Sequence, residues 1–150
     1  MVELLFADIV LRLVAATFIG ALVGLERELH GISAGMRTHA LVCLGAALFT
    51  LVSIQFSIMD PRVDIARVAA GIVTGIGFLG AGAIFFDKKT IHGFTTAANI
   101  WVIAGVGMMI GIGEVIASVV ATVLIIIILF AGKILEVKVI KKREKRWVFF

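Results

Sequence analysis

The chain has 150 residues, one ordinary domain's worth, yet 61% of them are hydrophobic and only 16% are charged, and its mean hydropathy is +1.17. Roughly a quarter of the residues of a soluble domain are charged, so the composition excludes an ordinary water-soluble enzyme and excludes disorder. The net charge of +4 is no nucleic-acid signature, because half of the Lys and Arg fall between Lys133 and Arg146 and so form a tail rather than a binding face.

A bilayer core of about 30 Å calls for about 20 apolar residues in a helix, and five stretches come near that length. Open strand edges cannot be satisfied in lipid, so the fold class expected is all-α, a polytopic transmembrane helix bundle of about five spans with glycine-mediated close packing. The first span runs from about Leu4 or Ile9 to Leu25. No early Lys or Arg and no small-residue cleavage site precede it, so it reads as a retained span rather than a secretory leader.

The polar, glycine-containing stretch Glu26 to Thr38 (ERELHGISAGMRT) follows, then a second span from about Ala40 to Ile58. Asp60-Pro61 marks a turn, with Pro61 placed to begin the helix of the third span, about Ile65 to Phe86. Asp87 to Gly93 (DKKTIHG) returns the chain to a short fourth span, about Ala97 to Ile110, for which Thr95 or Thr96 can serve as N-cap. Gly111 and Gly113 then make a tight connection to a fifth span, about Val115 to Leu135. A re-entrant fourth segment, leaving four spans, is the competing topology. Residues 1–137 form the transmembrane domain and 138–150 a basic tail, whose Lys141 to Arg146 (KKREKR) suits anionic lipid.

With the tail cytoplasmic, that side collects Arg27, Arg37, Lys88, Lys89 and the tail cations, against Arg12, Arg62 and Arg67 opposite. The positive-inside rule then places the N-terminus outside and the C-terminus in the cytoplasm of a multi-pass plasma-membrane protein.

Small residues let membrane helices approach closely. Gly20 and Gly24, Gly71 and Gly75, and Gly107 and Gly111 each form a small-xxx-small face, and Gly77, Gly80, Gly82 and Gly105 add to the packing set. Helices three and four are therefore expected at the centre and helix five in the lipid. The string Gly75 to Gly80 (GIGFLG) matches a dinucleotide fingerprint only as letters, because its flanks are apolar and no soluble βαβ unit surrounds it. An unwound ion site near Gly77 to Gly82 is the alternative to packing.

Ionisable residues in spans are functional candidates by default. Asp8 and Arg12, four apart, share a helix face and form either an interfacial ion pair or a pair turned toward a neighbouring helix. Glu26, Arg27, Glu28 and Arg37 gather at one mouth, where they can lock the loop or gate a pathway. Trp101 suits an interfacial anchor, whereas Asn99 needs a hydrogen bond across helices. His30, His39, His92 and Cys43 match no zinc spacing, and Glu26, Glu28 and Asp87 offer scattered oxygen ligands for magnesium. A metal site is left unassigned, no cofactor is expected, and no catalytic constellation points to an enzyme.

Four strings in order, DIVLRLVAATFIGALVGLERE (Asp8 to Glu28), AGMRTHALVCLGAALFT (Ala34 to Thr50), GIGFLGAGAI (Gly75 to Ile84) and GFTTAANIWVIAGVG (Gly93 to Gly107), resemble the MgtC/SapB family of bacterial and archaeal membrane proteins. The resemblance implies an inner-membrane protein tied to magnesium limitation, acid or intracellular stress and, in pathogens, virulence. It implies regulation of a membrane partner, with ATP synthase as an example, in preference to transport; a small oligomeric magnesium or proton channel is the alternative. By position, the family's polar signature falls on Asp8, Arg12, Glu26, Arg27, Glu28, Arg37, Thr38, His39, Thr95, Thr96, Asn99 and Trp101. Expected partners are the lipid bilayer, further copies of the chain and a membrane protein, with no nucleic acid. Many family members continue into a soluble cytoplasmic domain after the last helix, and any function residing there is expected to be absent from these residues.

Overall fold

A computed structural model describes the backbone of residues 5–87 and 90–147, and side chains as far as Ile134. Five helices, α1 (Phe6–Leu29), α2 (Met36–Met59), α3 (Ala66–Gly82), α4 (Phe94–Ile112) and α5 (Val115–Trp147), form an all-α bundle, with one short antiparallel ladder, β1 (Phe85–Asp87) and β2 (Thr90–His92), between α3 and α4. α1, α2, α4 and the Val115–Ile134 part of α5 are long and apolar enough to cross a membrane, whereas α3, at 17 residues, is shorter. Large apolar side chains such as Phe18, Phe78, Ile116 and Ile128 cover the outside of the bundle, as the surface of a membrane protein requires. The basic residues of the tail continue the backbone of α5 up to Trp147; their side chains, like Lys88 and Lys89, lie outside the described residues.

The breaks between helices follow from local chemistry. Gly31 ends α1 at φ 72°, where its N–H donates to the Glu28 carbonyl (2.9 Å) and the Ile32 N–H to that of Arg27 (3.1 Å), a left-handed stop that glycine adopts without strain. Gly113 does the same for α4 at φ 99°, with the Glu114 N–H reaching the Met109 carbonyl at 2.9 Å. α2 stops at extended Asp60, because the residue before a proline is driven out of the helical region. Asp60 then grips Arg62 (Nη2 to Oδ2, 2.8 Å), and these hydrogen bonds hold its carboxyl below the usual carboxylate range. Pro61 does not open the next helix. α3 begins at Ala66, whose N–H is accepted by Asp64 Oδ1 at 2.9 Å.

α4 is the centre of the bundle and touches all four other helices. Its buried face, including Ile100, Ile103, Val106 and Ile110, packs on Ala16, Ile19 and Val23 of α1 and on Val42, Cys43, Ala46 and Ala47 of α2. Close backbone approach makes this possible. A Cβ added at Gly107 would collide with the Cys43 carbonyl oxygen, one at Gly111 would lie 2.7 Å from Thr50 Cβ, and one at Gly24 would lie 2.6 Å from Met36 Cα. At Gly20 it would meet Cys43 Cβ at 2.8 Å.

α3 departs from expectation. It is peripheral, burying only Ile72 and Gly80, and nothing lies within 4 Å of a Cβ added at Gly71, Gly75, Gly77 or Gly82; the same is true of Gly105 on α4. These glycines do not mediate contacts among the described residues. The spacing that marks a small-residue face says nothing of which neighbour that face meets. α3 is also continuous through Gly77 and Gly80 rather than unwound, and the short helix is the third rather than the fourth. Over Val115–Ile134, α5 leaves most of its large apolar side chains exposed, as a lipid-facing helix does, but buries Ser118, Thr122 and Ile125.

Candidate functional site

The polar residues expected to matter do not converge. They form two groups at opposite ends of α1, separated along the helix by about 21 Å at 1.5 Å per residue. At the first end, Arg12 Nη2 pairs with Asp8 Oδ2 at 2.7 Å while Arg12 Nη1 donates to the Gly111 carbonyl at 2.8 Å. Arg12 is therefore turned toward a neighbouring helix: it caps the carbonyl end of α4, where the helix dipole favours a cation. Gly113 lets the guanidinium lie there, since a Cβ added to it would come within 3.1 Å of Nη2. Replacing Arg12 with Gln is expected to lower stability by about 1 kcal/mol, read as a lower midpoint of thermal unfolding in detergent; an unchanged midpoint would sink the capping role.

At the other end, α1 leaves the apolar core through Glu26, Arg27 and Glu28. Glu28 is exposed and its Oε2 accepts the Met36 N–H at 2.9 Å, which supplies the acceptor that an uncapped α2 N-terminus lacks. Arg37 is exposed and makes no ion pair with a described residue, and Thr38 is half-buried. The loop is thus fastened by one carboxylate on backbone, not by bidentate carboxylate–guanidinium pairing.

His39 is fully buried and its Nδ1 lies 2.9 Å from the Gly35 carbonyl. A carbonyl only accepts, so Nδ1 carries the proton, and in the neutral ring Nε2 is left as an acceptor. Asn99 Nδ2 donates to it at 3.0 Å, joining α2 to α4. This is the interhelical bond the sequence position of Asn99 demands. Asn99 Oδ1 is left buried without a partner among the described residues.

Arg27 is 8% exposed, yet its guanidinium donates no hydrogen bond to a described residue; its Nε is buried and unpartnered, and Glu26 Oε2 is 3.6 Å from Nη1. Glu26 Oε2 is itself buried and unpartnered, whereas its Oε1 is 2.9 Å from His30 Nδ1. Buried polar atoms without partners are rare in folded proteins.

These side chains open onto a cavity of about 720 Å³ bounded by Glu26, Arg27 and His30 of the α1 end, by Ile91, His92, Gly93, Phe94, Thr95 and Thr96 of the β2–α4 junction, and by Ile128, Leu129, Gly132 and Lys133 of α5. Gly93, at φ 96°, is the N-cap of α4, so neither Thr95 nor Thr96 caps it, and no side chain does. A Cβ there would collide with the Ala83 carbonyl oxygen. Trp101, one helical turn and more beyond, is exposed on the outer surface of α4.

Sequence reasoning did not anticipate His92, Gly93, Gly132 and Lys133 as neighbours of Arg27. For Lys133 there was a faint signal, a lone cation closing the longest apolar run. His39 and Cys43 are buried in the interior, and among the described residues no three His, Cys, Asp or Glu side chains come together as a metal site.

The chain matches the MgtC family over residues 13–138. It is 41% identical to Protein MgtC of Salmonella typhi over 97% of this chain and 64% of that protein, and 40% identical to "Putative magnesium transporter YhiD" of Escherichia coli K12 over 82% of this chain and 60% of that one. An uncharacterized protein of Haemophilus influenzae is 37% identical over 90% of this chain and 60% of its own length. The chain therefore spans less than two thirds of the length of these relatives. No solved structure matches it. With that identity carried through all of the helices that build the bundle, the chain is a membrane protein belonging to the MgtC family.

Proposed function

We propose that this chain is a non-enzymatic inner-membrane regulator that acts on a membrane partner, of which ATP synthase is an example, in adaptation to magnesium limitation, acid or intracellular stress, and virulence. The names of its relatives support the link to magnesium. The observation that supports regulation over conduction through a single protomer is the middle of the bundle: between the Arg12 end and the Arg27 end, α1, α2 and α4 meet through Ala16, Ile19, Val23, Cys43, Ala46, Ile103 and Val106, all buried and apolar. Ions require polar ligands or water along their path, and this seam is close-packed.

The N-terminus is assigned outside and the C-terminus to the cytoplasm, which puts the Arg27 cavity on the cytoplasmic side. Self-association is supported by the glycine face of α3, unpartnered among the described residues, where Gly71 and Gly75 line an apolar groove of about 530 Å³ with Gly45 of α2, the kind of small-residue surface on which membrane helices pair.

Proteoliposomes test the reading. Liposomes containing the purified chain are expected to take up magnesium and protons no faster than empty ones under a gradient. Flux well above the empty control, lost on replacing Asp8 or Glu26 with Ala, would replace regulation with transport.

A further inference from the structure

We propose that the cavity beside Arg27 is a binding site for an anionic phosphate group, of an acidic phospholipid headgroup or of free phosphate. This inference does not depend on the regulatory reading. Three independent features meet there.

The first is Arg27, more than nine-tenths buried, lining the cavity and without a hydrogen-bond partner among the described residues. A guanidinium presents five donors in a planar fork suited to phosphate oxygens; here Nη1 has only Glu26 Oε2 at 3.6 Å and the buried Nε has no partner among the described residues, and a desolvated donor left unused is costly. The second is the start of α4. The first N–H groups of a helix have no acceptor within it, and the Phe94, Thr95 and Thr96 N–H groups receive none from a side-chain cap. All three residues line the cavity, and no hydrogen bond ties up the Thr95 or Thr96 hydroxyl among the described residues. A helix N-terminus carries about half a positive charge and orients its N–H groups toward an anion. The third is Lys133 of α5, which also lines the cavity.

Arg27 and Lys133 outnumber Glu26, the one carboxylate among the lining residues, whose Oε2 lies 3.6 Å from Arg27 Nη1 and whose Oε1 lies 2.9 Å from His30 Nδ1. The sum favours a ligand with net negative charge. Ile128 and Leu129 on the same wall offer an apolar flank that an acyl chain fits and that a free phosphate does not need.

The experiment uses the whole chain in detergent, titrated separately with phosphatidylglycerol, phosphatidylcholine and inorganic phosphate, and read by native mass spectrometry and by the shift in thermal unfolding. One phosphatidylglycerol per chain, with phosphatidylcholine weaker by about tenfold and inorganic phosphate inert, would establish the lipid source. Saturable binding of inorganic phosphate without lipid preference would establish the free anion.

In either case Arg27→Gln is expected to weaken binding about tenfold, the scale of one charge-assisted hydrogen bond, and Glu26→Gln to strengthen it. Gly132→Phe guards against misfolding, because a Cβ at Gly132 meets nothing within 4 Å: it is expected to fill the cavity, keep the unfolding midpoint of the unliganded chain and abolish binding. Failure of both anions to bind, or binding that Gly132→Phe and Lys133→Gln leave unchanged, would overturn the proposal.

Discussion

Gly107→Ala is expected to be the most damaging single methyl at the contact between α2 and α4, lowering stability by about 3 kcal/mol or enough to prevent folding. Adding atoms to a packed core typically costs 1–3 kcal/mol, roughly, and more when the neighbour cannot move. Here the neighbour is the backbone carbonyl of Cys43 on α2, with Ala46 Cβ at 3.0 Å behind it. Neither is the end of a flexible side chain. α2 and α4 would have to separate, and the contacts of Ile103, Val106 and Ile110 would loosen together. Gly71→Ala and Gly75→Ala provide the contrast, because a Cβ at either position meets nothing within 4 Å. Both should unfold in detergent as the parent chain does, or slightly later, since alanine outranks glycine as a helix former by about 1 kcal/mol in a helix interior. Denaturant-dependent helix loss in detergent measures all three. Equal damage at Gly71 and Gly107 would show that the α2–α4 approach is not what those glycines distinguish.

His39→Leu is the second large effect, expected to cost about 2 to 3 kcal/mol. It removes the Nδ1–H to Gly35 bond and strips Asn99 of its partner at 3.0 Å. A buried amide left without partners loses about 1–3 kcal/mol, although interhelical hydrogen bonds in membranes average nearer 0.6 kcal/mol, roughly, because the unfolded helices find other partners in lipid. Asn99→Leu should cost less, since one acceptor, Nε2, is then orphaned rather than a whole amide. The double replacement should be milder than the two single losses combined, because no polar group remains to be desolvated. Strict additivity in this double-mutant cycle would mean that the two side chains do not act as a unit.

Much of this protein was legible in the chain itself. The ratio of apolar to charged residues dictated a membrane protein, because so little polar surface leaves no way to face water, and the lengths of the apolar runs dictated helices, because lipid offers no partner for an open strand edge. The chemistry of single positions was legible too. Asn99 inside an apolar helix had to find a partner, and Asp8 with Arg12 had to share a face. The pairing of Phe85–Asp87 with Thr90–His92 was not legible, because three residues per strand carry too little alternation to separate them from loop.

What the chain could not disclose was which surfaces meet. The small-xxx-small spacing at Gly20–Gly24, Gly71–Gly75 and Gly107–Gly111 is the same pattern in each case, yet only the first and last lie against another backbone among the described residues. The reason is physical: helical periodicity places residues on a common face, but the identity of the facing helix depends on how all five elements share a small cross-section. The same holds for the charged residues. The chain already put Asp8 and Arg12 at one end of the first helix and Glu26 and Arg27 at the other, but not what each end meets. Tertiary structure alone decided that, giving Arg12 to the carbonyl end of α4 and Arg27 to the cavity at its N–H end.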